Sequence, residues 1–181
     1  MPSVISRPLQ LTNTKKIIMK KIIITLALIL GLTAAVEAQS ISKNALGLRL
    51  GSNDGFGGEL SYQRKLSKNN RLELDLGLRS NNNVNAFKGT ALYQWVWNIE
   101  GGFYWYAGVG GGLGSWKYEK SGITNNGTFL FVAGDLGIEY NFDAPIQIAL
   151  DIRPELYFNA DNYRTNNFGP DIAFSIRYRF N

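Results

Sequence analysis

The sequence predicts an all-β fold, an eight-stranded antiparallel up-and-down transmembrane β-barrel, and three observations carry that expectation. Apolar and polar residues alternate with a period of two through eight consecutive segments. The links between the segments alternate in length. The ions inside the segments fall almost entirely on one parity, with acids and bases in balance.

The segments run at 44–51, 56–66, 70–79, 86–99, 102–116, 128–142, 146–158 and 168–180. A strand sends successive side chains to opposite faces, so each segment has one apolar and one polar face. The first sets Arg49 against leucines, and the second sets Glu59 against Tyr62. The third is the most regular: Leu72, Leu74, Leu76 and Leu78 alternate with Arg71, Glu73, Asp75 and Arg79. The fourth opposes Lys88 to Tyr93, Trp95 and Trp97. In the fifth, Phe103 and Trp105 precede Gly108, Gly110, Gly111, Gly112 and Gly114; four of these five glycines share the polar parity, making a strip without side chains that leaves room for bulky neighbours. The spacing is not that of a dinucleotide-binding loop. The sixth pairs Asp135 and Glu139 with Tyr140. The seventh carries Asp151, Arg153 and Glu155 around Pro154, which has no N–H for a ladder, so a bulge is expected there. The eighth closes with Asp171, Arg177 and Arg179 on one parity and Tyr178 and Phe180 on the other.

Links after the second, fourth and sixth segments are compact, at Leu66 to Asn70, Glu100-Gly101 and Asp143-Ala144-Pro145. Those after the third, fifth and seventh are longer and rich in Asn, Gly and Ser: Ser80 to Asn85, Lys117 to Gly127 and Asn159 to Asn167. Within the second of these, Asn126-Gly127 reads as turn chemistry. Short inner turns and longer outer loops are what an up-and-down membrane barrel presents.

The charged parity collects Glu59, Glu73, Asp75, Asp135, Glu139, Asp151, Glu155 and Asp171 with Arg49, Lys65, Arg71, Arg79, Lys88, Arg153, Arg177 and Arg179. The apolar parity carries one ion, Arg64. A soluble barrel keeps its charges outside in water and needs no balance of sign along mid-strand. Eight strands enclose just enough space for side chains to fill, so ions turned inward must be paired. The expected lumen network is Arg49, Glu59, Glu73, Asp75, Asp135, Asp151, Arg153 and Arg177. On the lipid side each mid-depth Lys or Arg costs about 2 to 4 kcal/mol, so that face is nearly free of charge. Aromatics gather on the apolar parity near the inner turns. Trp95, Trp97, Trp105, Tyr140, Tyr178 and Phe180 are the core of an expected interfacial girdle, and Phe56, Phe87, Phe158 and Phe168 mark the other rim.

With 19 basic and 14 acidic residues the chain is formally +5, but Arg7, Lys15, Lys16, Lys20 and Lys21 stand before Ala38, and the remainder is close to neutral. A nucleic-acid partner is therefore not expected. Residues 1–18 form a polar preamble or upstream start. Met19-Lys20-Lys21 and the apolar run from Ile22 predict a signal peptide over 19–38, cleaved after Ala38, with the barrel domain at 39–181. There is no histidine and no cysteine. The usual nucleophile and base pairs, zinc-thiolate sites and disulfides are excluded, and neither catalytic residues, metal nor cofactor is expected.

The last segment, Ile172-x-Phe174-x-Ile176-x-Tyr178-x-Phe180, resembles the terminal aromatic signal of the small eight-stranded outer-membrane β-barrel proteins of Gram-negative bacteria, the OmpA/OmpX-type group; here Asn181 follows it. Gly134 to Tyr140 and Ile152 to Leu156 are similar to strands of such barrels. The resemblance spans Asn44 to Phe180. It implies a multi-pass outer-membrane protein that meets outer-membrane lipid, lipopolysaccharide and the assembly machinery, and that is not an enzyme. Its function is expected to be structural, or to lie in surface contacts made by the outer loops. Two alternatives remain: a conduit for small apolar molecules, with Phe129, Phe131, Tyr104 and Tyr106 lining an upper pocket, and an exported soluble barrel that encloses a lipid.

Overall fold

A computed structural model describes residues 41–52, 57–81, 84–120, 123–160 and 166–181. The signal peptide expected at 19–38, Phe56 and the centre of the stretch read as a loop at 159–167 lie outside the described residues. Eight strands follow in order: β1 Asn44–Gly51, β2 Gly57–Lys65, β3 Asn70–Asn81, β4 Val84–Glu100, β5 Phe103–Lys120, β6 Ile123–Asn141, β7 Ile146–Phe158 and β8 Phe168–Phe180. Each pairs antiparallel with the next, and β1 pairs with β8 from Asn44↔Phe180 to Gly51↔Ala173, closing the barrel. At that seam a Cβ on Gly47 would overlap the backbone of Ile176, so the close approach of β1 and β8 requires glycine there.

The turn end of the barrel is tightly built. Between β2 and β3, Leu66 N–H donates to Asn70 O at 2.9 Å, and the Ser67 hydroxyl donates to Asn70 Oδ1 at 2.6 Å. Gly101 links β4 to β5 with φ +54°, a conformation in which a side chain is strained. The Arg179 guanidinium holds the β6–β7 turn through the carbonyls of Phe142 and, at 2.9 Å, Ala144.

The loop end departs from the sequence reading in two places. β5 and β6 are 18 and 19 residues long and remain paired out to Lys120↔Ile123. Most of the stretch read as a loop at Lys117 to Gly127 is therefore a strand hairpin. Asn126 and Gly127 pair with Lys117 and Trp116 inside it, and Gly127 makes room for the Trp116 indole rather than a turn. β4 likewise begins at Val84, within the stretch read as a loop at Ser80 to Asn85. A tilted span of about 10 residues crosses a hydrocarbon core, so these strands continue well past it.

Pro154 makes no bulge. The β6–β7 ladder lapses opposite Gly134 and Asp135 and resumes in the same register, Ala133↔Glu155 and Leu136↔Ile152. Pro154 lacks an N–H, which removes a bond without shifting a residue, and Gly134 leaves space for its ring. Glu155 is therefore inward and buried.

Candidate functional site

The barrel is partitioned inside out. On β3, Glu73 and Asp75 are each 1% exposed while Leu76 is 54% exposed. The same alternation leaves Leu48, Leu60, Val109, Leu113, Leu136, Leu150 and Ile172 on the outer surface. Along β5 the outer belt runs from Phe103 to Leu113. At about 3.3 Å per residue and a tilt near 40°, that is roughly the 25 Å height of a lipid-facing band.

Inside, the side chains form three layers. The middle layer is ionic. Arg49 donates from Nη1 to Glu59 Oε2 at 3.0 Å and to Asp171 Oδ2 at 2.8 Å, and it also pairs with Asp151. Arg153 donates to Asp75 Oδ2 at 2.7 Å and to Glu73 Oε1 at 3.1 Å, while Arg177 stands 3.3 Å from the same Glu73 oxygen. Lys88 reaches Glu155 at 2.5 Å, and Arg71 reaches Glu139 at 2.7 Å. The structure thus brings Arg49, Glu59, Glu73, Asp75, Asp151, Arg153 and Arg177 together. Asp135 is buried with them and accepts from Gln94 Nε2 at 2.5 Å.

Strict balance of sign does not hold inside. All eight acids of the charged parity are buried, with Arg49, Arg71, Lys88, Arg153 and Arg177 as their buried cations. Lys65 and Arg179 are half-buried at the turn end, and the side chain of Arg79 lies outside the described residues. Lys65 is the last residue of β2 and Arg179 the last but one of β8, where inward parity no longer means enclosure.

Neutral amides take up part of the work, and these were not singled out from sequence. Gln94 accepts from Arg71 Nε at 2.6 Å and donates to Glu73 at 3.2 Å as well as to Asp135; Gln63 donates to Glu73 Oε2 at 2.6 Å. Their inward parity was the available signal. A buried carboxylate needs donors whether or not they are charged.

Apolar layers cover the ions on both sides. At the loop end Leu92, Trp116, Phe129, Phe131 and Tyr157 pack together, with ring centroids of Phe131 and Tyr157 5.3 Å apart and Lys88 Nζ 4.8 Å from the Phe131 centroid. Gly112 and Gly114 stand opposite Phe131 and Phe129, where a Cβ would strike the rings. At the turn end Ile41, Val96, Tyr104, Tyr106 and Ala149 form the other layer. Tyr104 and Tyr106 therefore do not share an upper pocket with Phe129 and Phe131. β5 and β6 run in opposite directions, so residues early in each lie at opposite ends.

Outside, the turn end carries the aromatic girdle. Trp97 and Trp105 stack with centroids 4.3 Å apart, Phe103 lies 4.5 Å from Tyr140, and Tyr93 meets Trp95 edge-on at 5.0 Å. Tyr178 and Phe180 stack at 6.4 Å, both exposed. At the loop end the outer face of β3 to β6 turns polar, and Leu78, Phe87, Ser115, Lys117, Asn126 and Thr128 line an open groove of about 720 Å³. Among the described residues no cluster of acidic side chains has the geometry of a metal site.

No protein-family model matches the sequence, and no curated protein sequence does either. Solved structures do match in fold. The N-terminal β-barrel domain of Pseudomonas aeruginosa OprF superposes with a TM-score of 0.63 at 11% identity, over 77% of this chain and 98% of that one. Neisserial surface protein A gives 0.56 at 12% identity, over 76% and 94%. The attachment invasion locus protein Ail of Yersinia pestis gives 0.52 at 15% identity, over 77% and 97%. The chain has the fold of the eight-stranded outer-membrane β-barrels.

Proposed function

We propose that this protein is a non-enzymatic, multi-pass outer-membrane barrel of a Gram-negative cell, a scaffold whose long hairpins at the loop end meet the surroundings. One observation carries the reading: paired ions fill the centre of the lumen while hydrocarbon-compatible side chains cover the outside. In water that arrangement would expose an apolar belt far larger than soluble monomers carry. In lipid the same belt is solvated and the ions are shielded. The interaction surface is the β4–β6 extension with its groove around Phe87, Ser115, Lys117, Asn126 and Thr128. Outer-membrane lipid and lipopolysaccharide are the partners of the belt, and the exposed Tyr178 and Phe180 suit recognition by the assembly machinery.

Expression with the native leader followed by carbonate extraction tests the placement: the protein stays with the membranes, whereas release into the aqueous fraction would refute it. Planar-bilayer recording tests the scaffold. Conductance stays at the lipid background and liposomes take up no apolar solute; a specific flux would replace the scaffold with a conduit.

A further inference from the structure

Among the described residues Arg64 is the one ion on the outer face within the part of the strands that spans the apolar belt, and neither the lumen nor the belt accounts for it. It lies near the turn end of β2, exposed, opposite Asn44 in the register of β1. Its Nη1 donates to Asn44 Oδ1 at 2.7 Å, and the same oxygen accepts the Tyr62 hydroxyl at 2.8 Å. Asn44 is itself buried, so the guanidinium is tethered to the wall of the barrel rather than left to sweep through solvent.

Beside it opens a groove of about 550 Å³. Lys43, Arg64 and Lys65 line it with Ser42, and Ile41, Leu66 and Asn181 complete it. No carboxylate side chain is on that lining. Nor does an ion pair join Lys43 or Arg64 to an acid among the described residues. Among the described residues the wider turn end has the same sign, with Lys68 and Arg179 added and Glu100, Asp143 and the α-carboxylate of Asn181 opposed. A tethered guanidinium and the Lys43 ammonium on one groove match the oxygens of a phosphodiester.

The level of the groove fixes the source of that phosphate. Asn44 pairs with Phe180 across the closing seam, and Leu46, one outward step along β1, stands between Tyr62 and Tyr178. This is the girdle, where ring bodies meet acyl chains and polar tips meet headgroups. Leu66, exposed beside the cations, gives the glycerol end of a lipid an apolar contact. We propose that the Arg64 groove binds the headgroup phosphate of an anionic phospholipid in the leaflet at the turn end of the barrel. The inference rests on the membrane placement proposed above.

The test uses the protein reconstituted into phosphatidylcholine vesicles with and without a minor fraction of phosphatidylglycerol, then extracted in mild detergent for lipid analysis by mass spectrometry. Wild type retains phosphatidylglycerol several-fold above its share of the vesicle. Lys43→Gln with Arg64→Gln retains it at the bulk share. Should the double variant not fold, Lys43→Gln alone, at an exposed side chain before β1, carries the comparison and shows partial loss. Absence of enrichment in inserted wild type, or enrichment that survives the substitutions, overturns the site. Displacement of the lipid by an equal concentration of inorganic phosphate would also overturn it, by showing that a free oxyanion is preferred. Insertion is read separately from the mobility of unboiled and boiled samples in detergent gels. Wild type that never shows a heat-dependent shift in either vesicle defeats the membrane placement itself; a shift without enrichment defeats only the lipid site.

Discussion

Arg153 on β7 crosses the lumen to Asp75 on β3, Nη2 to Oδ2 at 2.7 Å, with both side chains buried. In a ring of eight strands these two lie four apart in either direction, so the pair spans the barrel through its middle. The same guanidinium also serves Glu73 and Glu59. Removing it leaves Asp75 with no ion partner among the described residues and takes one cation from Glu59 and Glu73, which keep Arg49 and Arg177. Arg153→Met is expected to lower stability by about 3 to 5 kcal/mol, the range for breaking a buried pair from one side. Urea titration of the barrel folded in vesicles measures it. Adding Asp75→Leu recovers part of the loss, because the group left without a partner goes with it. If the double variant is instead the sum of the singles, the two residues are not coupled.

The outer face gives the opposite experiment. Leu74 is exposed near mid-height on β3, beside Ala91 of β4. On a soluble protein an exposed leucine can become arginine at nearly no cost. In a bilayer Leu74→Arg is expected to destabilise by about 2 to 4 kcal/mol. The same titration reads this in vesicles, and a change below half a kilocalorie would place Leu74 in water.

The alternation of Leu72, Leu74 and Leu76 with Glu73 and Asp75 is legible in one dimension because a strand has a period of two and two solvents act on its faces. What each ion meets is not. Arg153 bonds across the barrel to β3, a choice set by curvature and by the lengths of opposing side chains, and no local pattern encodes it. Gln94 escaped notice because neutral amides carry no sign to balance. The β5–β6 hairpin was hidden for a different reason: beyond the apolar belt both faces tolerate polar residues, so Lys117 to Gly127 pairs as strand without alternating. The separation of Tyr104 from Phe129 was in principle readable, since it follows from the reversal of direction between β5 and β6.

Gly137 and Tyr106 offer a steric test of lumen packing. They pair across β5 and β6, and the three atoms nearest a Cβ on Gly137 all belong to the Tyr106 ring and hydroxyl. Gly137→Ala is expected to cost about 1 to 3 kcal/mol through overpacking. Tyr106→Leu opens space there and has its own cost. Combined, the two substitutions destabilise by less than their sum, a coupling that equilibrium unfolding of the four proteins resolves. Strict additivity would mean that the strand shifts outward instead of pressing on the ring.

The layered lumen predicts which layer seals it. Phe131 packs on Tyr157 and Phe129 above the ions, so Phe131→Ala leaves a void at the loop end and lowers stability by about 3 to 5 kcal/mol if the void stays dry, less if water enters. Below that void, Arg49 remains bonded to Glu59 and Asp171, and Arg153 to Glu73 and Asp75. An ion entering from the loop end would have to displace those partners. Conductance of Phe131→Ala in planar bilayers is therefore expected to stay at the background of wild type. Discrete channel openings in this variant would show that the aromatic layer was the barrier and that the ionic layer beneath it conducts.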